Sequence, residues 1–259
     1  MSGVLRGMRW AVAVVLGTGL LSVGRAQSGA TRTVPTITGL VPMAVTAGGK
    51  TKLRVLGLNL ATARELVFPG TGLAPVPLTG RKAAEVPKGL EMKDVGDLQF
   101  EAEVVVPAGV AWGLLPVAVQ CDVARSGSVV LPVRSAADTL SEREPNNAFS
   151  EANPLAEGRP VLGVVQADKD VDVYVFEARA GERFEVLLSA GARSSLLDGV
   201  VSVFDGERRL LGSANAAVGN DSLVKVAVSR PGPQYVVVSD AADRGGAWCV
   251  YELSLKRIP

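Results

Sequence analysis

Between residues 98 and 106 apolar and polar side chains alternate, with Leu98, Phe100, Ala102, Val104 and Val106 on one side and Gln99, Glu101 and Glu103 on the other. A period of two is that of a strand with one buried face. Leu115, Val117, Val119 and Cys121 repeat it ahead of the turn-prone Arg125-Ser126-Gly127, and Leu53 and Val55 run into Gly57. Residues 173–178, 184–188, 200–204, 224–228, 235–238 and 249–255 read as further strands. Each is closed by Gly, Asp, Asn or Pro, as at Ala180-Gly181-Glu182, Asp205-Gly206 and Arg230-Pro231-Gly232-Pro233. Long runs at helical spacing are missing, so the pattern predicts an all-β chain of two tandem β-sandwiches. Residues 135–147 lack apolar periodicity and are predicted to link a first domain at 33–134 to a second at 148–259.

The first 26 residues follow another rule. Arg6 and Arg9 precede the apolar stretch 10–23, and Gly24 and Ala26 occupy the −3 and −1 sites of a cleavage signal. This predicts a secretory signal peptide, because an apolar run holding Gly17 and Gly19 falls short of the roughly 20 residues a spanning helix needs. The first cysteine is Cys121, so no lipid-accepting cysteine follows the leader, and no later stretch is long enough to cross a bilayer. The expectation is a soluble protein starting near Gln27 in the periplasm, outside the cell or on its surface.

Composition then removes whole classes of chemistry. The 259 residues include no histidine, which excludes imidazole-dependent triads, the usual general base and the commonest zinc ligand. A net charge of +1 with no basic stripe excludes a nucleic-acid partner. Ser189 and Arg193-Ser194-Ser195 have no activating base and read as turn formers. Asn220-Asp221-Ser222 fits a glycosylation acceptor and equally a turn. No catalytic machinery is predicted.

Two resemblances sharpen the picture. Gly39-Leu40-Val41-Pro42, Ala47-Gly48-Gly49-Lys50-Thr51, Val55-Leu56-Gly57-Leu58-Asn59-Leu60 and Val67-Phe68 resemble an immunoglobulin-like domain of the IPT/TIG type. From Glu142 the motif order resembles the bacterial pre-peptidase C-terminal domain, a sandwich appended to secreted peptidases. It runs through Glu144-Pro145-Asn146-Asn147, Gly163-Val164-Val165, the segment 170–176, Ser195-Leu196-Leu197-Asp198, Val203-Phe204-Asp205, the segment 232–237 and Tyr251-Glu252-Leu253. The pairing of the two is typical of exported proteins of planctomycete-like bacteria. The resemblance implies a non-catalytic binding or accessory module that engages an extracellular or envelope protein or polysaccharide. A passive spacer of a cell-surface assembly and an accessory domain of a secreted peptidase system are the alternatives.

The one cluster with site chemistry is acidic: Glu142, Glu144, Asn146 and Asn147 in the predicted linker, with Asp168, Asp170 and Asp172 before a strand. All offer the hard oxygens that calcium prefers, and carboxylates two residues apart on an extended segment can point at one ion. Resemblance to the collagen-binding domains of clostridial collagenases maps calcium ligands onto Glu142, Glu144, Asn146, Asn147 and Asp172. Lys169 departs from that pattern by standing where it has an aspartate, leaving Asp168 or Asp170 to serve instead. The alternative is a solvated turn. The aromatics Trp112, Tyr174, Phe176, Tyr235, Trp248 and Tyr251 are few for a sugar-stacking platform; Tyr174, Phe176 and Tyr251 are predicted in cores, and Trp248 is the expected exposed contact. Cys121 and Cys249 are predicted to be buried free thiols in separate cores.

Overall fold

Alternation becomes strand along most of the chain. A computed structural model describes residues 34–110, 113–135, 137–190, 195–215 and 221–259. The predicted leader, Trp112, Arg193, Ser194 and Asn220 lie outside the described residues. The first half carries β1 (Thr36–Val41), β2 (Val45–Thr46), β3 (Lys50–Leu58), β4 (Ala63–Val67), β5 (Val76–Pro77), β6 (Thr79–Ala83), a one-turn helix α1 (Met92–Val95), β7 (Leu98–Val105), β8 (Leu114–Cys121) and β9 (Val129–Arg134). The second carries β10 (Leu140–Ser141), a 3-10 turn at Phe149–Glu151, β11 (Asn153–Pro154), β12 (Val161–Val164), β13 (Asp172–Ala178), β14 (Arg183–Ser189), β15 (Gly199–Phe204), β16 (Leu210–Asn215), β17 (Ser222–Ala227), β18 (Gly232–Asp240) and β19 (Val250–Ile258).

The strands make two β-sandwiches. In the first, the sheet β1-β3-β7-β6 faces β2-β9-β8-β4-β5; in the second, β10-β12-β19-β14-β17 faces β11-β13-β18-β15-β16. Leu53, Val55, Phe100, Ala102 and Val104 point inward from one sheet of the first sandwich to meet Leu66, Leu115, Val117, Val119 and Leu131 of the other. Tyr174, Phe176, Val201, Val203, Val236 and Val238 likewise meet Phe184, Val186, Leu188, Tyr251, Leu253 and Leu255 in the second. Each set is the apolar half of a period-two pattern, buried because every second side chain of a strand leaves by the same face. Cys121 belongs to the first core and Cys249 to the second, and both thiols are free.

Between the cores sits a third, smaller apolar cluster of Leu56, Val95 and Trp248, with Leu90 and Leu196 packed against it. Trp248 is only 7% exposed, which corrects the expectation of an exposed contact. Alternation assigns Trp248, Val250 and Glu252 to the face of the last strand opposite Tyr251 and Leu253, but not what covers that face. The first sandwich covers it: a Cβ on Gly39 would come within 3.1 Å of the Trp248 ring. Arg54 stacks over the indole at 5.0 Å and donates through Nη2 to the Ala247 carbonyl at 3.0 Å. Arg134 of β9 pairs with Glu252 of β19 at 2.8 Å, where the carboxylate is 5% exposed.

Residues 135–147 do not form a free linker. Leu140 and Ser141 pair in parallel with Val161 and Leu162, adding an edge strand to the second sandwich, and Asn146 is fully buried. A two-residue strand is too short to show a period, so the sequence pattern is silent there.

Two turns of the second sandwich share one construction. Asp205 and Asp240 each accept backbone N–H bonds two and four residues on, and each pairs with an arginine four residues on, Arg209 and Arg244. In both turns the residue before the arginine, Arg208 or Asp243, adopts positive φ. Asp240 also accepts from the Asp198 N–H at 2.9 Å and is almost fully buried. Removing that carboxylate strands three backbone donors and the Arg244 guanidinium, so Asp240→Ala is expected to cost about 3 kcal/mol in urea unfolding. A cost under about 1 kcal/mol would show that the turn closes without it.

Candidate metal centre

Three short segments converge where the second sandwich begins. After β10 the chain carries Glu142, Glu144 and Asn146 across one end of the sandwich. The Asn146 carbonyl accepts the Val173 N–H at 2.9 Å, and the Asn146 N–H donates to Glu144 Oε2 at 3.0 Å. On the facing side the turn 166–170 is closed by Asp170, which accepts the Gln166 N–H at 2.6 Å and its neighbour Val171 N–H at 3.0 Å. Asp172 then opens β13 with its side chain fully buried.

Carboxylate oxygens of Glu144, Asp170 and Asp172 all lie within 4.8 Å of one another. Two oxygens on opposite sides of a calcium ion at about 2.4 Å each are separated by that same span. Two amides line the group. With nitrogen turned inward, Asn146 donates to Glu144 Oε2 at 2.8 Å and Asp172 Oδ1 at 3.3 Å, and Asn147 donates to Asp170 Oδ1 at 3.2 Å and the Val171 carbonyl at 3.3 Å. With oxygen turned inward, the same positions become all-acceptor contacts, favourable only around a cation. The three carboxylates are hard oxygen donors of the kind calcium takes in flexible geometry.

Glu142 and Asp168 lie outside this trio. Glu142 Oε1 accepts the Val164 N–H at 2.7 Å, while Oε2 accepts the hydroxyls of Tyr174 and Tyr251, each at 3.0 Å. The two hydroxyls approach to 2.6 Å, and the Tyr251 hydroxyl lies 2.5 Å from Asp172 Oδ2, so its single proton is shared among these acceptors. Glu142 is thus joined to the cluster through a tyrosine bridge. Gly163 makes room for it, because a Cβ there would fall 2.3 Å from the Tyr251 ring and 2.6 Å from Glu142 Oε2. Lys169 adopts φ 66° in the turn and, among the described residues, forms no ion pair with the cluster. Its backbone N–H donates to the Asp243 carbonyl at 3.0 Å, and it lines a surface hollow together with Lys88, Asp168 and Asp243.

The electrostatics follow from burial. Loss of water raises the Asp172 carboxyl to about 8, reinforced by the Glu142, Asp170 and Glu144 carboxylates and opposed by the Tyr251 hydrogen bond. Burial also raises Glu142, against the bonds it accepts from Val164, Tyr174 and Tyr251. Both tyrosines are pushed above their ordinary range, first by burial and then by the neighbouring negative charge. Sequence reasoning placed Tyr174 and Tyr251 in the core, correctly, but missed their hydroxyls as the link between the two buried carboxylates. Tyrosine in an alternating apolar strand carries no signal of its polar tip's partner.

No protein-family model and no curated protein matches the sequence. Among solved structures the chain is similar to the pre-peptidase C-terminal domain of a Bacillus anthracis collagenase, 19% identical over 44% of this chain and 100% of that one, with a TM-score of 0.35. It is also similar to PliG, a periplasmic inhibitor of g-type lysozyme from Aeromonas hydrophila, at 17% identity over 46% of this chain and 96% of that one, with a TM-score of 0.32. The secreted serine protease VesC of Vibrio cholerae is similar over 86% of this chain and 51% of that one, at 12% identity and a TM-score of 0.31. All three are distant likenesses.

Proposed function

We propose that the protein is an exported, non-catalytic module that binds an extracellular or envelope polymer, and that calcium stiffens the entry to its second sandwich. The observation that carries the calcium reading is the convergence of the Glu144, Asp170 and Asp172 carboxylates within 4.8 Å of one another. Glu144, Asp170 and Asp172 hold the ion, Asn146 and Asn147 supply amide oxygens, and Glu142 orients Asp172 through Tyr251. A binding role is favoured by the absence of histidine from the chain. Of the serines read as turn formers, Ser189 is buried and Ser195 donates to the Trp248 carbonyl at 3.2 Å. The leader pattern of residues 1–26 supports export.

Ligand that binds only the folded state stabilises it by about 2.7 kcal/mol at a hundredfold excess over its dissociation constant. Extracellular modules bind calcium weakly, at about 10⁻⁴ to 10⁻³ M, so about 10 mM calcium is expected to raise Tm by a few degrees over chelator. Glu144→Ala and Asp170→Ala should abolish both the shift and the calorimetric heat of calcium binding. Equal melting in calcium and chelator would overturn the metal reading. The binding reading is tested by profiling the chain without its leader against glycans, collagen and envelope fractions; retention of none of them leaves the passive spacer as the role.

A further inference from the structure

A cleft of about 330 Å³ opens where the two sandwiches meet, walled on one side by β3, β6 and β7 and on the other by the turn 245–249. The charge on its first wall follows from strand register. On the outer face of this sheet Lys50 lies opposite Val105, Lys52 opposite Glu103, Arg54 opposite Glu101 and Leu56 opposite Gln99. The lysines pair diagonally, Lys50 with Glu103 at 2.6 Å and Lys52 with Glu101 at 2.8 Å. Continued by one step, the same diagonal brings Arg54 to Gln99, an amide where a carboxylate would complete the ladder. On the other side of Gln99 stands Lys82 of β6, directly opposite it in register and, among the described residues, without an ion pair. Two cations thus flank one neutral side chain at the cleft wall, and the nearest strand acid, Glu101 opposite Arg54, is already paired with Lys52.

Arg54 is also held in place. Its guanidinium lies on the Trp248 ring and spends one N–H on the Ala247 carbonyl, leaving further donors of the planar fork for an acceptor in the cleft. The second wall is equally built: Gly245 packs so closely on Ala167 that a Cβ would lie 2.1 Å from its carbonyl oxygen, which fixes the glycine turn that carries Trp248. Glu85 is the one acidic side chain on the lining among the described residues, and Val86 and Pro87 add an apolar stretch.

We propose that this cleft binds a uronate, a sugar ring bearing a carboxylate, as part of an acidic polysaccharide. The carboxylate lies between Arg54 and Lys82, Glu85 meets a ring hydroxyl, and the Val86–Pro87 edge takes the apolar face of the ring. The volume is at the lower end for ligand pockets and suits about one sugar ring rather than a folded partner. The proposal names a ligand class for the binding module and so rests on that reading.

The test is isothermal titration of the chain with a short oligogalacturonate and with the same oligomer methyl-esterified at every carboxylate. Chelator is present throughout, so that no metal bridges polymer and protein. Expected are saturable binding of the acid form, at least tenfold weaker binding of the ester, and at least tenfold loss in Lys82→Glu with intermediate loss in Lys82→Gln. Lys82 is exposed on an edge strand, so these variants keep the fold, checked by circular dichroism, even where Arg54→Gln does not. Equal binding of acid and ester, unchanged binding in Lys82→Glu, or no binding of the acid form would each overturn the proposal. Retention on collagen or a neutral glycan with no uronate binding overturns the cleft assignment while the module reading stands.

Discussion

Stripped of divalent ions, the protein is expected to lose stability as pH rises from about 4 to 8, at about 1.4 kcal/mol per pH unit in the middle of that range. The source is Asp172, whose carboxyl is raised from 3.8 to about 8 by burial. Between those values the folded chain holds a proton that the unfolded chain has released. The contribution is thus fully present below pH 4 and lost as pH climbs through 8. Glu142, also raised, adds to the slope with the same sign. Asp205 and Asp240 are lowered, Asp205 chiefly by the Arg209 N–H and Asp240 by Arg244 and the turn N–H groups acting against its burial, so their support disappears only in stronger acid. Asp172→Asn keeps the shape and removes its titration; in chelator at pH 7.5 it should be several kcal/mol more stable than the parent, with a shallower profile that keeps the Glu142 contribution. Calcium requires the carboxylate, so binding expels the proton, and affinity should rise about tenfold per pH unit below 8. Urea unfolding at pH 5, 6, 7 and 8, with and without calcium, measures both effects. A flat profile for the parent in chelator, or the same slope in Asp172→Asn, would sink this account.

Trp248→Ala is expected to divide one thermal unfolding transition into two and to cost about 4 kcal/mol. The indole is buried against Leu56 and Val95, with the Gly39 backbone beneath it and the Arg54 guanidinium over it. Deleting it leaves a cavity between the two cores, with the Arg134–Glu252 pair and the Arg54–Ala247 hydrogen bond among the polar ties that remain. Each core should then melt on its own. Scanning calorimetry decides the matter, and a single transition within about 2 °C of the parent would show that the polar contacts alone couple the sandwiches.

The contrast between Trp248 and Tyr251 explains what was legible in the sequence. Strands such as β7, β8, β13 and β19 follow from alternation, because a half-buried strand writes its burial into every second residue. Alternation names the two faces of a strand but is blind to a second protein surface laid over the outer one. That is why Trp248 reads as exposed and is covered. Of the metal centre, Glu144, Asp170 and Asp172 were recognisable as oxygen donors close in sequence to turns. The tyrosine bridge was not, since it joins residues 142, 172, 174 and 251 across strands whose pairing only the fold decides. β16, with its Gly-Ser-Ala-Asn end, was invisible for the same reason that β10 was: neither carries a period.

The parallel pairing of β10 bears on how the chain can be dissected. A fragment cut at residue 148, where the sequence pattern starts the second domain, would leave behind Glu142, Glu144 and Asn146. The Val164 and Val173 amides, and one acceptor of each buried tyrosine hydroxyl, would be stranded. A recombinant second sandwich therefore has to begin upstream of Leu140. Proteases that cleave within 140–147 should find that stretch as resistant as the strands it is woven into.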